Sequence, residues 1–249
     1  MHQDAPGAIY NVLKPVGMTS HDVVDFIRRL AGERRVGHAG TLDPAAAGVL
    51  LVMTGRYTRL SPYLASYDKT YRVEVTFGIA TETGDADGNV IERKDASSVS
   101  PDRLRAVLSE LTGLLLIKPH RFSAVKVEGK KAYEIAREGD EPELRERPAV
   151  IHRAELLSFH RAENPTALLE LCVGKGTYVR SLAELLGALL DTCAHASFVL
   201  RTQAGPLSIE DAWTLEELEE AAKCGRLSSA AVSPSTALSG YPQALVTAD

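Results

Sequence analysis

The chain has 249 residues, 45% of them hydrophobic and 24% charged, enough for one large domain or two small ones with a substantial core. No apolar run approaches the roughly 18 residues that a membrane-crossing helix needs, and the opening MHQDAPGAIYNVLKP has neither the basic leader nor the apolar stretch of a secretory signal. A net charge of −5 argues against a uniformly basic, nucleic-acid-binding surface. The charge is unevenly spread, however. Residues 14–72 carry Lys14, Arg28, Arg29, Arg34, Arg35, Arg56, Arg59, Lys69 and Arg72 against only five acids, whereas much of the negative excess lies in SIEDAWTLEELEEAAK near the C-terminus. A local basic face and an ordinary solvated surface both fit that pattern. Cys172, Cys193 and Cys224 are too far apart for a CxxC pair and lack histidines at zinc-finger spacing, so they are expected to be reduced thiols in a cytoplasmic protein, with no metal.

In chain order, MTSHDVVDFIRRLAG predicts a helix, with Thr19 as N-cap, Asp22 completing a capping box and Gly32 at the end. A Gly-rich turn, RRVGHAGTLDP, follows, and AAAGVLLVMTG is expected to begin as a helix. KTYRVEVTFGIAT alternates like a half-buried strand, and TETGDADGNV has turn chemistry at Asp87-Gly88. PDRLRAVLSELT predicts a helix with Pro101 at its start. KPHRFSAVKVEGKKAYEIAREG suggests a strand, a turn at Gly129 and a short helix. AVIHRAELLSFHRAE and TALLELCVGKGTYVR read as two strands, SLAELLGALLDTC as a helix, and residues 213–223 as an acidic helix. Strands and helices interleave without a βαβ rhythm, which favours an α+β fold with a mixed, largely antiparallel sheet and helices packed on it.

Three segments bear on chemistry. In GHAGTLDPAAAG, Asp43 followed by Pro44 has the form of a helix N-cap and first helical residue. A carboxylate on a Gly-bounded loop fixed by the next proline is also a well-oriented nucleophile, and the two readings are compatible. VGKGT is not a phosphate-binding loop, because Gly176 follows Lys175 and the first glycine is missing. That leaves Tyr178 and Arg180 at a strand end, where a surface ion pair is the plainer reading of the arginine. Tyr71, in KTYRVEV, is in a strand, where tyrosine is usually a packing residue.

Taken in order, KPVGMTSHDVV, GHAGTLDPAAAGVLLVMTGRYTRL, KTYRVEVTFGIATETGDADG, SAVKVEGKKAYEIAREG and KGTYVRSLAELLG resemble the successive motifs of the TruB family of tRNA pseudouridine-55 synthases, from residue 14 to about 205. The resemblance implies a catalytic domain over residues 1–230, a central mixed sheet with an active-site cleft, and isomerisation of uridine to pseudouridine in the T loop of tRNA. It implies Asp43 as the nucleophile attacking the base or its ribose, Tyr71 against the target base, and Arg180 paired with Asp43. Lys14, His38, Asp85, Tyr178 and Val199 match positions around the target nucleotide or its RNA context. The reaction breaks and remakes one glycosidic bond without redox change, so no cofactor is expected. The partner is the T stem-loop of tRNA, and the chain is expected to act as a monomer without a protein partner.

Several positions depart from the family pattern. The family's QxPPxYSAxK stretch is KPHRFSAVK here, with His120 for the second proline and Phe122 for the tyrosine. SLAxDLG becomes SLAELLG, with Leu185 for the aspartate, and AHLxxLRRT becomes AHASFVLRT, with Leu200 for the first arginine. Residues 231–249 are expected to form a short tail, too short for a complete PUA-type domain. Two other functions stay open at this point: an RNA chaperone of the tRNA elbow, and an isomerase acting on another RNA stem-loop.

Overall fold

A computed structural model describes residues 7–123 and 125–242, and in it Thr19 and Asp22 cap the first helix as expected. The Thr19 side chain accepts from the Asp22 N–H, the Asp22 carboxylate accepts from the Thr19 N–H, and Gly32 closes the helix. This helix, α1 (Ser20–Ala31), follows strand β1 (Ile9–Lys14) and precedes β2 (Val36–Ala39) and β3 (Ala46–Thr54). The short α2 (Ser61–Ser66) then leads into β4 (Lys69–Phe77).

The segment Ala46–Thr54 is a strand from its first residue, which corrects the expected helical start. Pro44 and Ala45 form a turn, so Asp43 is not a helix N-cap. The reason is burial on both faces. Leu50 and Val52 pack with Tyr10, Val12, Val23, Val24, Ile27, Leu215 and Leu218 on one side. Val49, Leu51 and Met53 pack with Ile9, Ala39, Leu64, Leu207 and Ala237 on the other. A strand covered on both sides reads as an unbroken apolar run, without the alternation that marks a half-exposed one. Each such side chain stabilises the fold by roughly 1.5–3 kcal/mol.

After β4 come β5 (Ile79–Thr81), β6 (Val90–Arg93), α3 (Pro101–Glu110), β7 (Gly113–Ile117), β8 (Lys126–Val127), β9 (Lys130–Lys131) and α4 (Ala132–Arg137). The long strands β10 (Arg147–His160) and β11 (Thr166–Val173) are followed by α5 (Val179–Leu189) and β12 (Ala194–Ala204). The chain ends with β13 (Leu207–Ser208), α6 (Leu215–Lys223), β14 (Ala231–Val232) and α7 (Pro234–Ala237). Helix α5 starts two residues earlier than expected, so Tyr178 is its N-cap residue and Arg180 lies in its first turn, not at a strand end.

The chain divides into two compact units, Met1–Thr70 with Leu200–Asp249, and Tyr71–Val199. In the first, the strand order is β14-β1-β3-β12, with β2 paired to β3 and β13 to β12. In the second, the order is β4-β11-β10-β7, and α3 packs against β10. The β1–β3, β2–β3, β1–β14, β10–β11 and β10–β7 pairs are antiparallel, and single parallel bridges join Val12 to Trp213 and Asp85 to Ala196. The fold is α+β, with a mixed, largely antiparallel sheet flanked by helices. No helix among the described residues is long and apolar enough to cross a membrane.

The expected tail boundary at residue 230 falls inside packed structure. Ala231 and Val232 pair with Tyr10 and Ile9, and Ala237 is fully buried against the first unit's core. The Ala237 carbonyl also accepts a hydrogen bond from the Tyr67 hydroxyl at 3.0 Å. Residues 243–249 of that expected tail lie outside the described residues.

Candidate active site

The loop that carries Asp43 is held through its backbone. Ser20, at the start of α1, accepts from the Leu42 N–H at 2.8 Å and donates to the Leu42 carbonyl at 2.9 Å. Gly17 N–H donates to the Pro44 carbonyl at 2.8 Å, and Ala46 N–H closes the turn onto the Asp43 carbonyl at 3.1 Å. On the other side is Arg201, from β12, whose side chain is almost fully buried. Its Nε donates to the Val49 carbonyl at 2.6 Å, and its Nη2 and Nη1 reach the Gly40 and Thr41 carbonyls at 2.9 and 3.5 Å. Asp43 is thus bracketed by fixed residues at 40, 41, 42 and 44. Gly48 permits the close approach of Arg201: a Cβ there would lie 2.1 Å from the Arg201 carbonyl oxygen, and φ is +114°.

Lys14 completes this group. Its ammonium is fully buried and donates to the carbonyls of Pro15 at 2.8 Å, Met18 at 2.5 Å and Pro44 at 3.5 Å. Burial pulls its pKa down to about 8; the Asp43 charge opposes that shift, the Arg201 charge adds to it, and Asp22 opposes it weakly. His38, in β2, is half-buried, and its pKa is lowered by burial first, then by Arg201 and His21. Its Nδ1 is buried without a hydrogen-bond partner among the described residues.

The Lys14 shift makes a test. Between pH 8 and about 10.5 the unfolded chain holds a proton at Lys14 that the folded chain has lost, so raising the pH through that window favours the folded state. Relative to Lys14→Met, the wild type is expected to gain about 2 kcal/mol of stability between pH 7 and pH 10. Urea unfolding of both proteins at the two pH values measures the gain. A stability difference that stays constant would show an ordinary lysine.

In the second unit, Arg180 and Asp85 come together, both buried. Arg180 Nη1 lies 3.7 Å from the Asp85 carboxylate and donates to the Thr83 carbonyl at 2.7 Å, while Nη2 donates to the Phe122 carbonyl at 3.0 Å. The Asp85 carboxylate also accepts from the Thr83 hydroxyl at 2.5 Å and from the Asp87 N–H at 3.2 Å. The Asp85 backbone carbonyl accepts from the Thr81 hydroxyl at 2.6 Å. Tyr71 is buried in β4 on the same side as Val73, Val75 and Phe77. Tyr178 and Val199 are half-buried, at the N-cap of α5 and in β12. The expected site residues therefore fall into two groups: Lys14, His38 and Asp43 in the first unit, and Tyr71, Asp85, Tyr178, Arg180 and Val199 in the second.

Arg201 and Ser20 were not among the expected site residues. Ser20 is the first residue of α1, after the N-cap Thr19, and no sequence signal set it apart. Arg201 had one available signal, its match to the second arginine of the family's AHLxxLRRT stretch, AHASFVLRT here.

The family model for TruB family pseudouridylate synthase (N terminal domain) matches residues 28–179, more than half the chain. The chain belongs to the TruB family. It is 48% identical over 240 residues to a protein of Pelotomaculum thermopropionicum named tRNA pseudouridine synthase B, covering 96% of this chain and 76% of that one. It is 47% identical over 238 residues to the protein of the same name from Symbiobacterium thermophilum, covering 96% and 78%. It is also similar to the crystal structure of the archaeal box H/ACA sRNP Nop10–Cbf5 complex, with a TM-score of 0.67 and 26% identity, covering 93% of this chain. The chain spans 61% of that structure's chain. The TruB match contains both Asp43 and Tyr71 and ends one residue before Arg180.

Proposed function

We propose that this TruB-family enzyme isomerises uridine to pseudouridine at position 55 in the T loop of tRNA, acting in the cytoplasm as a monomer with Asp43 as nucleophile. The observation that carries this reading is the backbone clamp on the Asp43 loop within the GHAGTLDP motif. It fixes the course of the chain on both sides of Asp43, and so the point from which its carboxylate is presented.

The reaction breaks the C1′–N1 bond and forms a C1′–C5 bond; C5 loses its proton and N1 regains one. No electron transfer and no phosphate departure are involved, so the chemistry calls on side chains alone. A nucleophilic carboxylate must be presented to the sugar or base in a fixed direction, which the clamp on residues 40, 41, 42 and 44 provides. A base stacked in the T loop must be flipped out at a cost of a few kcal/mol, and Tyr71 offsets part of that by stacking. Arg29, Arg34, Arg35, Arg56 and Arg59 are exposed in the first unit and suit contacts to phosphates.

Tritium release from tRNA labelled at C5 of its uridines tests the reading. Release that stops near one uridine per tRNA, with the new pseudouridine mapped to the T loop, is expected. Binding without release would favour a chaperone, and release only from a different RNA would move the substrate. Tyr71→Phe is expected to keep tRNA affinity and slow single turnover by about 10²-fold, as for loss of a group that assists proton transfer. An unchanged single-turnover rate would remove the hydroxyl from the chemistry.

A further inference from the structure

We infer that His120 and Glu184 form a positioning pair that sets Arg180 and its carboxylate partner, an inference that rests on the reading of Arg180 as a site residue. Both belong to stretches that depart from the family pattern, KPHRFSAVK and SLAELLG, and the fold brings them together. His120 Nε2 lies 3.2 Å from a Glu184 carboxylate oxygen. The imidazole is buried, whereas the Glu184 side chain is 41% exposed.

The contacts define what the ring does. His120 Nδ1 accepts the Phe122 N–H at 3.2 Å and lies 3.4 Å from Arg180 Nη1, another donor. Two donors aimed at Nδ1 require a lone pair there, so the remaining ring proton is on Nε2, where it is donated to Glu184. Glu184 thereby selects the tautomer that can face Arg180. His120 holds the Phe122 N–H while Arg180 holds the Phe122 carbonyl, so the ring and the guanidinium grip the same residue.

The pair also backs the 83–85 turn. A Cβ added at Gly84 would meet Glu184 Oε1 at 3.0 Å and the His120 ring at 3.1 Å, and φ there is +70°. The Thr83 carbonyl and the Asp85 carboxylate flanking Gly84 both face Arg180. His120 and Glu184 therefore fix Arg180 directly, through Nδ1, and indirectly, through the turn that supplies its acceptors. Neither residue is assigned a contact with the reacting atoms.

The test compares Glu184→Ala, Glu184→Gln, His120→Ala, the double variant His120→Ala/Glu184→Ala, and Arg180→Lys. Each is measured for single-turnover isomerisation of tRNA, tRNA affinity and thermal midpoint. Glu184→Ala and His120→Ala are each expected to slow turnover by about 10- to 100-fold, the scale of a small misplacement of a reacting group. tRNA affinity is expected to stay within about twofold, as for a pair that makes no contact with the RNA. Glu184→Gln, which keeps an acceptor oxygen for Nε2–H, restores most of the rate, and the double variant is no slower than the slower single. Wild-type turnover in Glu184→Ala, or a double variant slowed by the product of the two singles, overturns the pair. If His120→Ala does not fold, the contrast between Ala and Gln at position 184 decides alone. Wild-type turnover in Arg180→Lys removes Arg180 from the site and the pair's role with it. Loss in Arg180→Lys with none in Glu184→Ala removes only the pair.

Discussion

Replacing Asp43 by asparagine is expected to lower single-turnover isomerisation by at least about 10⁴-fold, as removal of a nucleophile does, while tRNA affinity is retained. The clamp makes the substitution informative. Ser20, Gly17 and Arg201 grip carbonyls and an N–H of the loop, so its course is held from the backbone on both sides of position 43. Asparagine has nearly the same shape and loses only the charge and the nucleophilic oxygen. Single-turnover assays beside filter binding separate the two effects. Turnover within tenfold of wild type would mean that another group attacks, whereas a parallel collapse of binding would mean that the carboxylate also seats the RNA.

Arg201→Met is expected to destabilise the protein by about 3–5 kcal/mol, since it takes the guanidinium donor from the buried Val49 carbonyl and from the part-buried bonds to Gly40 and Thr41 and empties a fully buried side-chain site. For a chain of this size that lowers the thermal midpoint by roughly 10 °C. The loosened loop is also expected to slow isomerisation by about 10²-fold at temperatures where the variant is folded. Arg201→Lys separates charge from geometry. One ammonium cannot span carbonyls from positions 40 and 49 as the planar guanidinium does, so lysine is expected to behave like methionine. A lysine variant with wild-type midpoint and rate would show that only the positive charge beside Asp43 matters.

The parts of the fold legible in the sequence were those written in local chemistry. Thr19 and Asp22 announce α1, and the alternation in KTYRVEVTF announces β4, because a cap needs a given residue at a given spacing and a half-exposed strand shows period 2. Ala46–Thr54 was misread because burial on both faces erases its alternation, and Asp43-Pro44 imitates a helix start. Two-residue β14 left no pattern, since its identity depends on Ile9 and Tyr10, more than two hundred positions away. At the candidate site, Asp43 and Arg180 stood out through motif order. Arg201 sits at the second arginine of the AHLxxLRRT stretch, but its hold on the Asp43 loop left no trace, because its partners are backbone carbonyls that no side-chain spacing records. Likewise, the meeting of His120 and Glu184 across 64 positions appears only once the chain is folded.

The distance along the chain between Arg201 and the loop it holds also bears on the order of synthesis. Gly40 leaves the ribosome 161 residues before its partner, a lag of about 8–30 s at usual elongation rates. Throughout that interval β3 lacks β12 and β14 is still unmade, while the whole Tyr71–Val199 unit emerges as one continuous stretch. A polypeptide released before residue 201 would hold the Asp43 loop through Ser20 and Gly17 alone, without the grip of Arg201 on Gly40 and Val49.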